Sequence, residues 1–213
     1  MKKACIFDFD GVIVDSEKYH HLGWKWVAEE IGVNDFTYEE YAPFKSAGRK
    51  KVLPYLFDRA GKTMQEGDFE RFSQLREEKI AIAIAKLNKE DIIDGVVDFI
   101  KLLKSNGIKC GVASASASSN KVAKRFGIFD LFDAFVDGEA KLPPKPNPDI
   151  YLRVAKLLDV ESSECVVFED SINGVQGAKN AGMKCIGMQT YFTDKADIII
   201  DSFVGADMSL LDD

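Results

Sequence analysis

The stretch Ala4-Cys5-Ile6-Phe7-Asp8-Phe9-Asp10-Gly11-Val12 decides the fold of this chain. Its apolar first half predicts a buried strand near 4–9, with two carboxylates where the strand ends. Because side chains alternate along a strand, Asp8 and Asp10 are expected to point the same way. Such close like charges are tolerated when a metal compensates them or when the two groups titrate apart. The stretch therefore predicts a chemically active strand end, with an ordinary acidic turn as the alternative.

A second apolar run ends in acids in the same manner. Val166-Val167-Phe168 leads into Glu169 and Asp170, and the residues that follow open a predicted helix. Acids are also favoured as helix N-caps, and that role is compatible with metal binding. Between the two acidic pairs lie a loop rich in small hydroxyl residues, around Ser114, and Lys145 among three prolines.

From residue 94 onward, helical and strand patterns alternate. Helices are predicted near 95–106, 118–127, 148–158 and 171–182, and strands near 108–113, 134–137, 165–169, 184–188 and 198–200. Apolar strands that alternate with helices are typical of an α/β fold with a doubly wound parallel sheet. Ligands bind such sheets beyond the carboxyl ends of the strands, which is where Asp8, Ser114 and Asp170 fall.

The segment between residues 14 and 92 carries only helical patterns. Ser16 is a candidate N-cap and Gly32 a candidate stop for its first helix, and further helices are predicted near 49–60 and 66–87. The chain is therefore predicted to consist of a discontinuous core, 1–13 and 93–213, and an inserted all-helical cap domain, 14–92.

Composition narrows the function class. The chain has 213 residues, 46% hydrophobic and 30% charged, and a net charge of −7. The net negative charge argues against nucleic-acid or anionic-membrane partners. Because the overall charge does not help to bind phosphate, any phosphate site must depend on side chains close to it. Four widely spaced cysteines without a C-x-x-C pair predict buried thiols in a reducing compartment. With no secretory or membrane-spanning segment apparent, a cytoplasmic location is predicted, and a monomer is expected.

In this order, the acidic strand end, the hydroxyl loop, the lysine among prolines and the final acidic pair resemble the haloacid dehalogenase superfamily. The resemblance covers nearly the whole chain and implies a Rossmann-like core. It implies that Asp8 attacks phosphorus to form an aspartyl-phosphate, and that Ser114 and Lys145 bind the transferring phosphoryl group. Asp10 would be the general acid/base, a role that predicts a higher pKa for Asp10 than for Asp8.

The same resemblance implies a Mg²⁺ cofactor. It would be held by the Asp8 carboxylate, the Asp10 backbone carbonyl and the Asp170 carboxylate, with Glu169 assisting. The resemblance also suggests a cis peptide bond between Lys145 and Pro146, which local sequence does not establish.

The cap segment resembles that of β-phosphoglucomutases. The resemblance implies that His20 aligns catalysis and that Arg49 and Ser116 hold a second, non-reacting phosphate. The candidate substrate-binding residues are Trp24, Lys45, Arg49, Arg76, Ser114, Ala115, Ser116 and Lys145. Taken singly, each cap residue also has an ordinary structural explanation: His20 as a surface residue, Trp24 as cap core and Arg76 as a solvated charge.

Two functions are compatible with these residues. A mutase would interconvert β-glucose 1-phosphate and glucose 6-phosphate, with a sugar bisphosphate as activator; a phosphatase would let water resolve phospho-Asp8 on a sugar or polyol phosphate. Ser46 and Gly48 depart from the mutase pattern in the substrate-reading loop, and Ser118 and Arg76 depart from it elsewhere. A non-catalytic phosphosugar-binding protein on the same fold is a third, less favoured possibility.

Overall fold

The computed structural model describes residues 2–188 and 195–212. Within these residues, six strands form one sheet in the order β3-β2-β1-β4-β5-β6, and every neighbouring pair is parallel. The strands are β1 Ala4–Phe7, β2 Lys109–Ala113, β3 Ala134–Val136, β4 Cys165–Glu169, β5 Lys184–Met188 and β6 Ile198–Ile200. The predicted doubly wound parallel sheet is confirmed, and β1 lies at its centre between β2 and β4.

Eight α-helices accompany the sheet in the part of the chain that the structure describes. They are α1 Glu17–Ile31, α2 Tyr38–Tyr41, α3 Arg49–Arg59, α4 Asp68–Ile84, α5 Val96–Ser105, α6 Ser119–Phe126, α7 Asp149–Leu158 and α8 Ile172–Asn180. Ser16 and Gly32 flank α1 as predicted, and Gly32 adopts the left-handed conformation (φ 109°) that ends a helix. The short α2 was not predicted, although Thr37 and Glu40 form a capping box at its start.

Both faces of the sheet are covered by apolar side chains. One buried cluster packs strand residues such as Phe7 and Phe168 against α5 and α6, and another packs Ile6 and Val167 against α7 and α8. This two-sided burial explains why the strands read as continuous apolar runs rather than as alternating patterns.

Helices α1 to α4 follow β1 directly and have an apolar cluster of their own, which includes Val27, Leu53 and Phe72. The end of α4 departs from that cluster, since Ile80 and Ile84 pack with the core side chains. The division into a core (1–13 and 93–213) and a cap (14–92) stays a prediction; residues 1, 189–194 and 213 lie outside the described residues.

Among the described residues, no helix has the length and apolar character needed to cross a membrane. The four cysteines are buried free thiols, as predicted. The Lys145–Pro146 peptide bond is cis, in agreement with the resemblance.

Candidate active site

A cavity of about 420 Å³ opens at the carboxyl ends of the central strands, between the sheet and helices α1, α3 and α4. Asp8 follows β1 and Ser114 follows β2, so adjacent parallel strands deliver both side chains to the same edge. The candidate residues that line this cavity are Asp8, Asp10, His20, Trp24, Arg49, Arg76, Ser114, Ala115, Ser116 and Lys145. Lys45, Glu169 and Asp170 lie buried beside it.

Lys145 links the first and last acidic motifs. Its Nζ atom is 3.1 Å from Asp8 Oδ1 and also forms a close ion pair with Glu169 Oε1. Burial alone would lower the pKa of Lys145, but the charges of Asp8 and Glu169 outweigh burial and raise it. Lys145 is therefore a fixed ammonium beside the candidate nucleophile and not a solvated loop lysine.

Glu169 is the most completely hydrogen-bonded acid of the site. Its Oε1 accepts from Lys145 and, at 2.6 Å, from the Tyr151 hydroxyl; its Oε2 accepts at 3.1 Å each from the Asp170 amide and the Ser171 hydroxyl. These four donors fill the lone pairs of the carboxylate. Glu169 is therefore placed mainly to orient Lys145. It would assist a metal ion through these hydrogen bonds and not as a direct ligand.

Asp8, Glu169 and Asp170 form an acidic cluster whose ligand atoms lie within 4.8 Å of one another, all buried. Burial and the charge of Glu169 raise the pKa of both Asp8 and Asp170, although Lys145 and Lys45 oppose the rise. With Glu17, which lies 3.6 Å from Lys45, four carboxyl groups face two ammonium groups here, so negative charge is left uncompensated. An all-oxygen donor set with that charge fits a hard divalent cation such as Mg²⁺.

The predicted pKa order of the first two acids is wrong. Burial would raise the pKa of Asp10, but the charge of His20 and the hydrogen bond from the Ser16 hydroxyl outweigh it and lower the pKa. His20 Nε2 lies 3.0 Å from Asp10 Oδ1, and the Ser16 hydroxyl donates to the same oxygen. Asp8 has the higher pKa because it is buried and faces other acids, above all Glu169, which its position in the sequence does not show.

On the helical side of the cavity, Arg76 contacts both His20 and Trp24. Arg76 Nη2 lies 3.0 Å from His20 Nδ1, and the Arg76 guanidinium lies 5.4 Å from the centre of the Trp24 ring. Because a guanidinium only donates, Nδ1 accepts from Arg76 when His20 is neutral, and the ring proton then lies on Nε2, toward Asp10. Burial lowers the pKa of His20, but Asp10 outweighs it and raises the pKa, while Arg76 opposes that rise.

The hydroxyl loop after β2 is held by its own hydrogen bonds. Ser114 Oγ accepts from the Ser116 amide at 3.1 Å and lies 3.5 Å from Asp10 Oδ2. Ser116 and Ser118 share a hydrogen bond of 2.9 Å between their hydroxyls. These contacts leave a fixed row of hydroxyl and amide groups along the core side of the cavity.

Lys45 and Arg49 do not face the same partners. Lys45 is buried and pairs with Asp170, with Glu17 Oε2 3.6 Å away. Arg49 is half-exposed, and its Nη2 lies 3.0 Å from Glu77 Oε1. The structure thus places Lys45 at the acidic cluster, whereas Arg49 lies at the outer, helical end of the cavity.

Three residues with direct contacts in the site were missed by sequence reasoning. Tyr151 lies in the first turn of α7, where the sequence predicted only a helix. Glu17 is partly buried, and this burial, opposed by Lys45, raises its pKa to about 7. Glu77 follows Arg76 on α4 and reads as a solvated helix charge. No local signal distinguishes these residues, because each acquires its role from a distant segment.

The sequence and the structure both match known proteins. Residues 2–182 match the family model of the haloacid dehalogenase-like hydrolases. The chain is 35% identical over 188 residues to β-phosphoglucomutase from Bacillus subtilis, covering 87% of this chain and 83% of the relative. It is 33% identical over 190 residues to hexitol phosphatase B from Escherichia coli K12, covering 86% and 82%.

A solved β-phosphoglucomutase structure from Clostridium difficile superposes with a TM-score of 0.89 at 29% identity, covering 99% of this chain and 96% of that one. The strand order, the carboxylates at the strand ends and these matches agree with one another. The chain belongs to the haloacid dehalogenase-like hydrolase family and is an enzyme of phosphoryl transfer or phosphate hydrolysis.

Proposed function

We propose that this chain is a Mg²⁺-dependent phosphotransferase that acts on a small phosphosugar through phospho-Asp8. The favoured reaction is the β-phosphoglucomutase type, which interconverts β-glucose 1-phosphate and glucose 6-phosphate with a sugar bisphosphate as activator. The observation that carries this proposal is the contact of His20, from α1, with Asp10 inside the cavity. A helical segment that reaches the acid/base group can exclude water while a sugar hydroxyl competes for the phosphoryl group.

The side chains divide the proposed reaction among themselves. An Asp8 oxygen attacks phosphorus, and the leaving sugar oxygen takes a proton from Asp10; in the second half, a sugar hydroxyl returns a proton to Asp10 and attacks phospho-Asp8. The lowered pKa of Asp10 favours the ionised form that the second half requires and disfavours the protonated form that the first half requires. Lys145 and Ser114 stabilise the charge on the phosphoryl oxygens.

The residues proposed to hold Mg²⁺ are Asp8, Asp170 and the backbone carbonyl of Asp10, with Glu169 assisting through its hydrogen bonds. When bound, the ion neutralises charge between the nucleophile and the phosphoryl group, two anions that would otherwise repel each other. The buried acidic cluster supports this assignment.

A phosphatase acting on a sugar or polyol monophosphate is the second candidate. The Arg49–Glu77 ion pair favours it, because Arg49 already has an anionic partner at the end of the cavity where a second phosphate would bind. The relative named hexitol phosphatase B is consistent with the same alternative.

A paired assay separates the two candidates. The protein receives Mg²⁺, β-glucose 1-phosphate and a trace of glucose 1,6-bisphosphate, and glucose 6-phosphate and free phosphate are followed together. Glucose 6-phosphate with little free phosphate supports the mutase, whereas free phosphate without the isomer supports the phosphatase. Asp8→Asn should abolish both products, and turnover in that variant would contradict the assignment of the nucleophile.

Arg49→Ala tests the proposed distal-phosphate role. Mutase turnover should fall, because a guanidinium binds a phosphate through paired donors that alanine lacks. Arg59→Ala is the matched control, since Arg59 lies on the same helix but pairs with Asp35 and Glu40. Equal activities of the two variants would argue against the role of Arg49.

A further inference from the structure

The outer end of the cavity contains two arginines and one carboxylate. Glu77 Oε1 lies 3.0 Å from Arg49 Nη2 and 3.6 Å from Arg76 Nη1, and all three residues line the cavity. Arg49 begins α3, whereas Arg76 and Glu77 are consecutive on α4, so the carboxylate joins the two helices through the arginines. The cations that would attract a second phosphate therefore already have an anionic partner.

A phosphate that arrives at this pair must displace Glu77 or share the arginines with it. Displacement is feasible, because the Glu77 and Arg49 side chains are each 45% exposed and can move into solvent. Sharing is feasible as well, because a guanidinium offers five donors, but two anions held at one guanidinium repel each other. Either route makes binding of the second phosphate weaker than it would be at two unoccupied arginines.

We propose that Glu77 is a specificity-determining residue that competes with a second phosphate for Arg49 and Arg76. It thereby shifts selectivity away from bisphosphorylated sugars and toward sugars with one phosphate, whose hydroxyls can donate to the carboxylate. This inference rests on the proposed function, since it assumes that a phosphosugar occupies the cavity. It predicts that a bisphosphate intermediate leaves this protein more readily than it leaves a variant without the Glu77 charge.

The test fills the site at Asp8 first and then probes the arginine pair. Beryllium fluoride with Mg²⁺ mimics phospho-Asp8, so a glucose 6-phosphate molecule that binds the loaded protein must place its phosphate at the other end of the cavity. Its dissociation constant is measured by titration calorimetry for the unmodified chain, Glu77→Gln and Glu78→Gln. Glu78 is the matched control, because it is the next residue on α4 and bonds Gln74 instead of an arginine.

Glu77→Gln should tighten glucose 6-phosphate binding roughly tenfold, about 1.4 kcal/mol, whereas Glu78→Gln should change it less than about twofold. Raising the salt concentration should reduce the gain, since part of the competition is exposed to solvent. Loading of beryllium fluoride without any gain in Glu77→Gln, or equal gains in both variants, would overturn the inference alone. Failure to load, or failure of glucose 6-phosphate to bind any loaded protein, would overturn the proposed function and the inference with it.

Discussion

Tyr151 gives the sharpest energetic prediction outside the reacting groups. Its hydroxyl donates to Glu169 Oε1 over 2.6 Å in a fully buried setting, and burial, reinforced by Glu169, raises the pKa of Tyr151 so that it keeps its proton. Tyr151→Phe removes this donor and leaves a buried carboxylate with less compensation. Hydrogen bonds to charged groups contribute about 1.5–3 kcal/mol, so we expect the free energy of unfolding to fall by that amount.

Tyr55→Phe is the matched control. The Tyr55 hydroxyl also donates to a glutamate, Glu40, at 3.0 Å, but this pair is partly exposed and Arg59 binds the same carboxylate oxygen. Water and Arg59 can replace the lost donor, so a decrease of no more than about 0.5 kcal/mol is expected.

Urea unfolding at neutral pH, with Mg²⁺ at one concentration throughout, measures both variants against the unmodified chain. The slopes should agree, so that differences in midpoint report stability. Equal losses of stability in the two variants, or a loss below about 0.5 kcal/mol in Tyr151→Phe, would contradict this reasoning. Either result would show that burial of the hydrogen bond to Glu169 does not determine how much stability is lost.

Three further predictions concern the metal, the backbone and the pH dependence. Mg²⁺ at a hundred times its dissociation constant should raise the free energy of unfolding by about 2.7 kcal/mol in the unmodified chain and by much less in Asp170→Asn, as thermal unfolding with and without EDTA would show. Gly11→Ala should destabilise more than Gly67→Ala: both glycines have positive φ, but a Cβ at Gly11 would lie 2.0 Å from Asp170 Oδ2, whereas nothing lies within 4 Å at Gly67. Similar midpoints for these two variants in urea would contradict the clash. Burial would raise the pKa of Asp133, but Lys104 outweighs it and lowers the pKa. The stabilisation that Asp133 provides should therefore be complete above the ordinary Asp pKa of about 4 and disappear as pH falls through the lowered value. Asp133→Asn should be less stable than the unmodified chain at pH 7 and should converge with it in acid; a constant difference down to pH 2 would refute this.

Much of the fold could be predicted from the sequence because it depends on local pattern. Uninterrupted apolar runs mark strands buried on both faces, and Ser16 and Gly32 mark the ends of α1. The short α2 was missed because four residues give no helical periodicity, although the Thr37–Glu40 capping box was a usable signal.

The sequence by itself determined that Asp8, Ser114 and Asp170 would meet, because the carboxyl ends of neighbouring parallel strands share one edge of a sheet. Only the tertiary structure decided which charges face one another there. It paired Asp10 with His20, which reversed the predicted pKa order, and it placed Glu77 against Arg49. These contacts join residues from separate elements, and Coulomb energies depend on distance and burial in space, which no local pattern in the chain encodes.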